Sequence, residues 1–189
     1  MNEPQPATES VHTGNSLLRW LGLFVREVLA TIVPAVLIAL LINLFLAQAT
    51  IVQGQSMEPT LRSSERLVVE KLTYRLWHGP RRGDVVVLRT PRAGQEMLIK
   101  RVVALPGEII ESRAGRLMID GNLLEETWAT LPGGGSVPRT TVPPLSVFVM
   151  GDNRGASNDS RSFGSVPLED IIGRAWFSYW PPDKIGTVK

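Results

Sequence analysis

The sequence predicts a mainly β chain: a single N-terminal transmembrane helix followed by a compact all-β domain. Three observations predict it. An uncharged apolar run covers 28–57, short runs rich in Val and Ile follow it, and turn-forming residue pairs separate those runs.

The core of the first run, 28–47, is almost wholly Leu, Ile, Val, Ala and Phe. Roughly 20 helical residues cross a hydrocarbon layer of about 30 Å, so 28–49 reads as a transmembrane helix. Arg19 and Arg26 flank it on the N-terminal side, whereas the first basic residue beyond it is Arg62. That bias places 1–27 in the cytoplasm as an N-terminal tail and 50–189 on the outer face as one domain. A cleaved secretory signal would be shorter, nearer the start and closed by a small-residue cut site, so the segment reads as a permanent anchor. Pro34 is tolerated in a kinked spanning helix. The first 15 residues are polar with proline and read as disordered.

Beyond the anchor, 66–72, 84–89, 97–105, 108–113, 117–119, 145–150 and 174–179 are rich in β-branched and aromatic residues and read as strands. Gly79-Pro80, Pro106-Gly107, Ala114-Gly115, Asp120-Gly121 and Gly151-Asp152 supply the turns between them. Residues 131–144 are rich in Gly, Pro and Thr, and 151–165 are polar and glycine-punctuated. Both read as loops outside the core.

Composition removes several function classes. The net charge is +2 and the 20 basic residues are spread along the chain, so no nucleic acid partner is implied. With no cysteine, disulfides, thiol catalysis and cysteine-ligated zinc are excluded. The acidic residues and histidines show no ligand spacing and no Gly-rich phosphate loop occurs, so neither metal nor cofactor is expected. Nothing bears on oligomeric state.

Ser56 follows the anchor within Gly54-Gln55-Ser56-Met57-Glu58-Pro59, where Gly54 permits a bend and Pro59 stiffens the chain. A serine becomes a nucleophile when a neighbouring group takes its proton. The histidines are His12, on the cytoplasmic side of the anchor, and His78, in a turn-like stretch. Lysine is the alternative, although an ordinary one stays protonated at neutral pH. Lys100 lies in the run 97–105, where alternation sets it on one face with Leu98, Val102 and Ala104, the face expected to point inward. Desolvation there would disfavour the ammonium and bring the amine into general-base range. By themselves these residues leave a plainer reading open, in which Lys100 reaches water from a strand edge and Ser56 belongs to a turn. An oxyanion donor is also required, and the Ser56 amide is the nearest.

Four ordered stretches settle on a family. Gln53-Gly54-Gln55-Ser56-Met57-Glu58-Pro59-Thr60-Leu61, Gly83-Asp84-Val85-Val86-Val87, Lys100-Arg101-Val102-Val103-Ala104-Leu105-Pro106-Gly107-Glu108, and Gly151-Asp152-Asn153-Arg154 through Ser157-Asn158-Asp159-Ser160-Arg161 to Gly164 resemble the boxes of type I signal peptidases. The resemblance implies a signal-peptidase-like catalytic domain in a bacterial-type cytoplasmic or thylakoid membrane, acting on the signal peptides of exported preproteins. It implies that Ser56 attacks the scissile carbonyl and that neutral Lys100 is general base, then general acid. It further implies that Ser157 hydrogen-bonds the Lys100 amine and that Asp159 and Arg161 form a supporting ion pair, with Asp152 and Arg101 nearby. Small residues at the first and third positions before the cut are implied as well. Gly54 departs from members that place a serine there as second oxyanion donor, and 131–144 stands where others carry a large insertion.

The substrate is expected to add as a strand near Gln53, Gln55 and the stretch 98–100, with Ile51, Met57, Leu98 and Ile99 as pocket walls. Asn158-Asp159-Ser160 and Arg82-Gly83-Asp84 match a glycosylation sequon and an adhesion tripeptide, and both read as accidental. Two rival classes are a self-cleaving repressor, which would need a helical DNA-binding domain in place of the anchor, and a non-enzymatic membrane-anchored β module.

Overall fold

The computed structural model describes residues 14–42, 46–90, 96–128 and 130–188, and the chain divides into two units, Met1–Ile42 and Asn43–Lys189. In the first, helix α1 spans Gly14–Leu41 with Pro34 inside it. Its stretch Arg19–Leu41 is exposed throughout and long and apolar enough to cross a membrane. The helix departs from the expected 28–49 at both ends. It starts early enough to take residues 14–27 out of the expected tail, and it stops before Ala47–Ile51, which form strand β1. A short Ala/Ile run suits a helix or a buried strand equally, and here pairing decides. The remainder of the expected tail, 1–13 with His12, lies outside the described residues.

The second unit is built from antiparallel strands. After β1 come β2 (Arg66–Glu70), the short helix α2 (Leu72–Leu76), β3 (Val85–Arg89), β4 (Met97–Ala104), β5 (Ile109–Arg113), β6 (Arg116–Ile119), β7 (Asn122–Leu123), β8 (Thr140–Thr141) and β9 (Ser146–Met150). Helix α3 (Ser160–Phe163), β10 (Val166–Pro167), β11 (Ile171–Trp180) and β12 (Gly186–Thr187) complete it. One sheet runs β1-β2-β11-β3-β4-β9-β10, with β12 beside β11, and a smaller sheet runs β7-β6-β5-β8.

Three apolar clusters hold this arrangement. Val86, Leu88, Val102, Val147, Val149 and Val166 form one, and Val103, Ala104, Ile110, Leu117, Val142 and Phe148 belong to a second that joins the two sheets. The third, Val52, Met57, Leu61, Leu67, Val85 and Ala175, lies under the segment that carries Ser56. Each Val, Leu, Ile, Phe or Met side chain among them stabilises the fold by about 1.5–3 kcal/mol when fully buried. Both ends of the Ser56 segment are thus fixed: Val52 and Met57 are core residues on either side of it.

Several expectations change in detail. The run 66–72 ends as strand at Glu70, and α2 follows because the Tyr74 hydroxyl bonds Asp84 and the Thr73 N–H bonds Glu70. The loops at 131–144 and 151–165 are not external to the core: Val137, Val142, Asp152, Asp159 and Ser160 are all buried. Ala104 does not share a face with Lys100, since the β4–β9 register slips between Val102 and Ala104 and turns Ala104 into the second cluster.

Candidate active site

Two free strand edges define the site. Among the described residues, strand β1 pairs with β2 alone, and Met97–Lys100 of β4 pair with β3 on one side while pairing with β9 begins only at Arg101. Between these edges lies a cleft of about 970 Å³, lined by Gln48–Val52, Gln53 and Gly54 on one wall and by Glu96–Lys100 on the other, with Ser56 and Met57 at its closed end. Of the expected pocket residues, the cleft brings together Ile51, Gln53, Met57, Leu98 and Ile99. Gln55 is exposed and does not line it. Met57 is 1% exposed, so it serves mainly as core and closes the cleft floor.

At that closed end the Lys100 amine lies 2.8 Å from Ser56 Oγ and donates to the Ile99 carbonyl at 2.9 Å. As an ammonium it donates to the Ser56 oxygen, and as a neutral amine it accepts the hydroxyl proton across the same gap. Lys100 is 2% exposed. Burial lowers its pKa from 10.5 to about 8, while the carboxylates of Asp159 and Asp152 pull in the opposite direction. Gly54 has φ +79 with open space around it, so the backbone bend, not crowding, requires glycine there. The Ser56 N–H donates to no other group among the described residues, leaving it available to an oxyanion.

The two anions near the amine are each neutralised. Asp159 is fully buried and receives the Arg161 guanidinium through two hydrogen bonds of 2.8 Å, together with the Gly151 N–H at 3.0 Å. Burial alone would raise its carboxyl, but these donors outweigh it and hold Asp159 below the ordinary carboxylate range. Asp152 takes both its oxygens to Arg101, at 2.8 and 2.6 Å, with both side chains 1% exposed. Arg101 also reaches the Gly83 carbonyl and Thr60 Oγ1 and sits 5.1 Å from the Trp128 ring centroid.

Ser157 is placed against this centre differently from expectation. Its buried hydroxyl lies near the Asp159 carboxylate but makes no hydrogen bond of good geometry, and the implied bond to Lys100 is not formed, because the amine's partners are Ser56 and Ile99. Gly151 joins the two serines. A Cβ there would overlap both Ser157 Oγ and the Ser56 carbonyl, and that carbonyl accepts from the Asn153 N–H at 3.0 Å.

His78 is elsewhere: its ring meets Tyr74 edge-on and its Nδ1 lies 2.6 Å from the Gly79 carbonyl. The adhesion-like tripeptide is spent internally, with Arg82 on Glu108 and the Val103 carbonyl and Asp84 on Tyr74. No cluster of metal-ligating side chains occurs among the described residues. Sequence reasoning missed Trp128, Thr60 and the Glu126–Arg154 pair; the lone tryptophan in Glu125-Glu126-Thr127-Trp128 was the one signal for them.

Residues 25–180 match the family model described as signal peptidase, peptidase S26. The chain belongs to this signal peptidase family. It is 39% identical to a probable signal peptidase I-1 of Synechocystis over 87% of each chain, and 40% identical to a signal peptidase I of Leptolyngbya laminosa over 86% of this chain and 83% of that one. A thylakoidal processing peptidase 1 of Arabidopsis thaliana is 34% identical over 80% of this chain and 47% of its own length. Signal peptidases of this family are serine endopeptidases that remove signal peptides with a Ser/Lys dyad, and this chain is one of them.

Proposed function

We propose that Ser56 is the nucleophile and Lys100 the general base of this signal peptidase, and that the cleft between β1 and β4 receives the extended segment before the scissile bond. The observation that carries the reading is the 2.8 Å approach of a 2% exposed amine to the Ser56 hydroxyl. The neutral amine takes the hydroxyl proton as Oγ bonds to the scissile carbonyl carbon, and the Ser56 N–H receives the oxyanion. Collapse breaks the C–N bond, the Lys100 ammonium gives its proton to the leaving amine, and the acyl group stays on Ser56 as an ester. Water then attacks that ester, Lys100 accepts its proton, and the proton returns to Ser56 Oγ as the new carboxyl terminus departs.

Asp159–Arg161 and Asp152–Arg101 support the base by keeping two nearby carboxylates paired, and Ser157 helps shape the pocket around the amine. The substrate strand takes backbone hydrogen bonds from the free edges, with Ile51, Met57, Leu98 and Ile99 as side-chain walls and Gln53 beside the chain. The stretch Arg19–Leu41 crosses the membrane once with the N-terminus in the cytoplasm, a reading supported by its composition and by Arg19 and Arg26 on the flank before the uncharged run. The partners are then the signal peptides of exported preproteins and the lipid bilayer, at a bacterial-type cytoplasmic or a thylakoid membrane. Ser56→Ala and Lys100→Ala each abolish preprotein cleavage in chains that remain folded. Full activity in Lys100→Ala would overturn the assignment.

A further inference from the structure

The connection from β7 to β8 lies across the residues that support the base. Leu131 donates to the Asp152 carbonyl at 2.9 Å, Glu126 pairs with Arg154, and Arg154 in turn donates to the Gly151 carbonyl. The point of closest bearing on the base is Trp128. Its ring covers the Arg101 guanidinium and touches the position a Gly83 Cβ would take, while its indole N–H is buried without an acceptor. A buried donor left unpaired is unfavourable, and a phenyl ring would offer an aromatic face, though a smaller one, without it. The tryptophan therefore sits there for its ring face and not for its N–H.

We propose that Trp128 is a positioning residue for the base: its ring holds the Arg101 guanidinium on Asp152 and shuts water out, so that the Asp152 carboxylate stays neutralised beside the Lys100 amine. This rests on Lys100 being the base. The charged groups around that amine are Asp152 and Asp159, their partners Arg101 and Arg161, and Arg66 and Glu96 on the cleft lining. Only the Arg101–Asp152 pair is covered by the Trp128 ring. Removal of the ring hydrates the guanidinium and weakens its shielding of Asp152. A less shielded anion and a wetter amine both favour the ammonium, so the two consequences have the same sign.

The test is the pH dependence of kcat/KM for the full chain in detergent micelles with a synthetic signal-peptide substrate, between about pH 6 and 10. Trp128→Ala moves the acid limb upward by about one unit, a loss of up to ~10-fold on that limb, and largely recovers at alkaline pH. Trp128→Phe keeps the wild-type limb because the ring face is retained. A purely structural role lowers the melting temperature or kcat without moving the limb, and that result, or equal shifts in the Ala and Phe variants, overturns the proposal. If Trp128→Ala does not fold, Trp128→Leu carries the same test, with an upward shift expected and an unmoved limb contradicting it. Lys100→Ala run in parallel separates the two readings: if it is inactive while the Trp128 variants show no shift, the dyad stands and this inference falls.

Discussion

Ser56 Oγ and Lys100 Nζ lie 2.8 Å apart, and the amine's other hydrogen bond goes to the carbonyl of Ile99, its own neighbour in β4. The geometry holds the nitrogen without a carboxylate in direct contact. A salt-bridged lysine would be a poor base because the anion would stabilise its proton. Here Asp152 and Asp159 are close enough to act on the amine, yet each is committed to an arginine. Desolvation prevails, and the amine becomes basic in the useful range.

Activity should therefore rise with pH as Lys100 loses its proton. The acid limb of kcat/KM is expected to centre near the lowered pKa of about 8. Rate measurements on a peptide substrate check this, and a limb centred near the ordinary lysine value would mean that the amine is not desolvated.

The same burial makes Lys100 unfavourable for the fold at neutral pH. Its folded pKa of about 8 lies below the ordinary 10.5, so between those values the unfolded chain binds more protons and wild-type stability rises with pH. Below that window the penalty is fully present and amounts to ~3 kcal/mol. Lys100→Met should accordingly melt higher than wild type at pH 7, with the gap closing as pH climbs through the window. Thermal unfolding followed by circular dichroism at several pH values tests it; a pH-independent difference would contradict the account.

Gly151→Ala should abolish cleavage even though only one carbon is added. That carbon overlaps the Ser56 carbonyl and Ser157 Oγ, so the backbone at Ser56 has to move. A displacement of about 1 Å at the reacting atoms costs on the order of 10²-fold in rate. Retained kcat in a folded Gly151→Ala variant would show that Ser56 tolerates the shift.

Asp152→Ala leaves the Arg101 guanidinium buried without its anion. Removing one partner of a buried pair destabilises by about 3–5 kcal/mol, and denaturant unfolding should register a loss of that size. Arg101 is 1% exposed, which leaves little room for water to compensate. A loss under about 1 kcal/mol, the range of an exposed pair, would indicate that the site hydrates readily.

Of the two residues proposed as the dyad, Lys100 sits on a regular strand and Ser56 in a turn between two core residues. Lys100 is legible from alternation in β4, and Ser56 from its place after the apolar run, since Val52 and Met57 carry that segment into the core. Alternation failed only at Ala104, where a register slip that depends on β9 intervenes. Strand β1 was hidden inside an apolar run that suits helix and strand alike, and α2 was hidden because it follows β2 directly, with Leu72 read into the strand run 66–72. The ion pair Arg161–Asp159 was expected only through the family resemblance, which set Arg101 and Asp152 nearby without pairing them. Arg101 lies on β4 and Asp152 in the turn after β9, far apart in sequence, and no local pattern reveals who neutralises whom. Trp128 escaped notice for a related reason: a tryptophan in a polar connection gains its meaning from the cation beneath it.

The most direct test of the central claim is an NMR titration of the Lys100 side chain, with its ε-carbon and Nζ labelled, in the folded chain. The account predicts a midpoint near 8, coincident with the acid limb of the rate profile and absent in Lys100→Ala. A midpoint near 10.5, or full cleavage activity in Lys100→Ala with loss in His78→Ala, would contradict it.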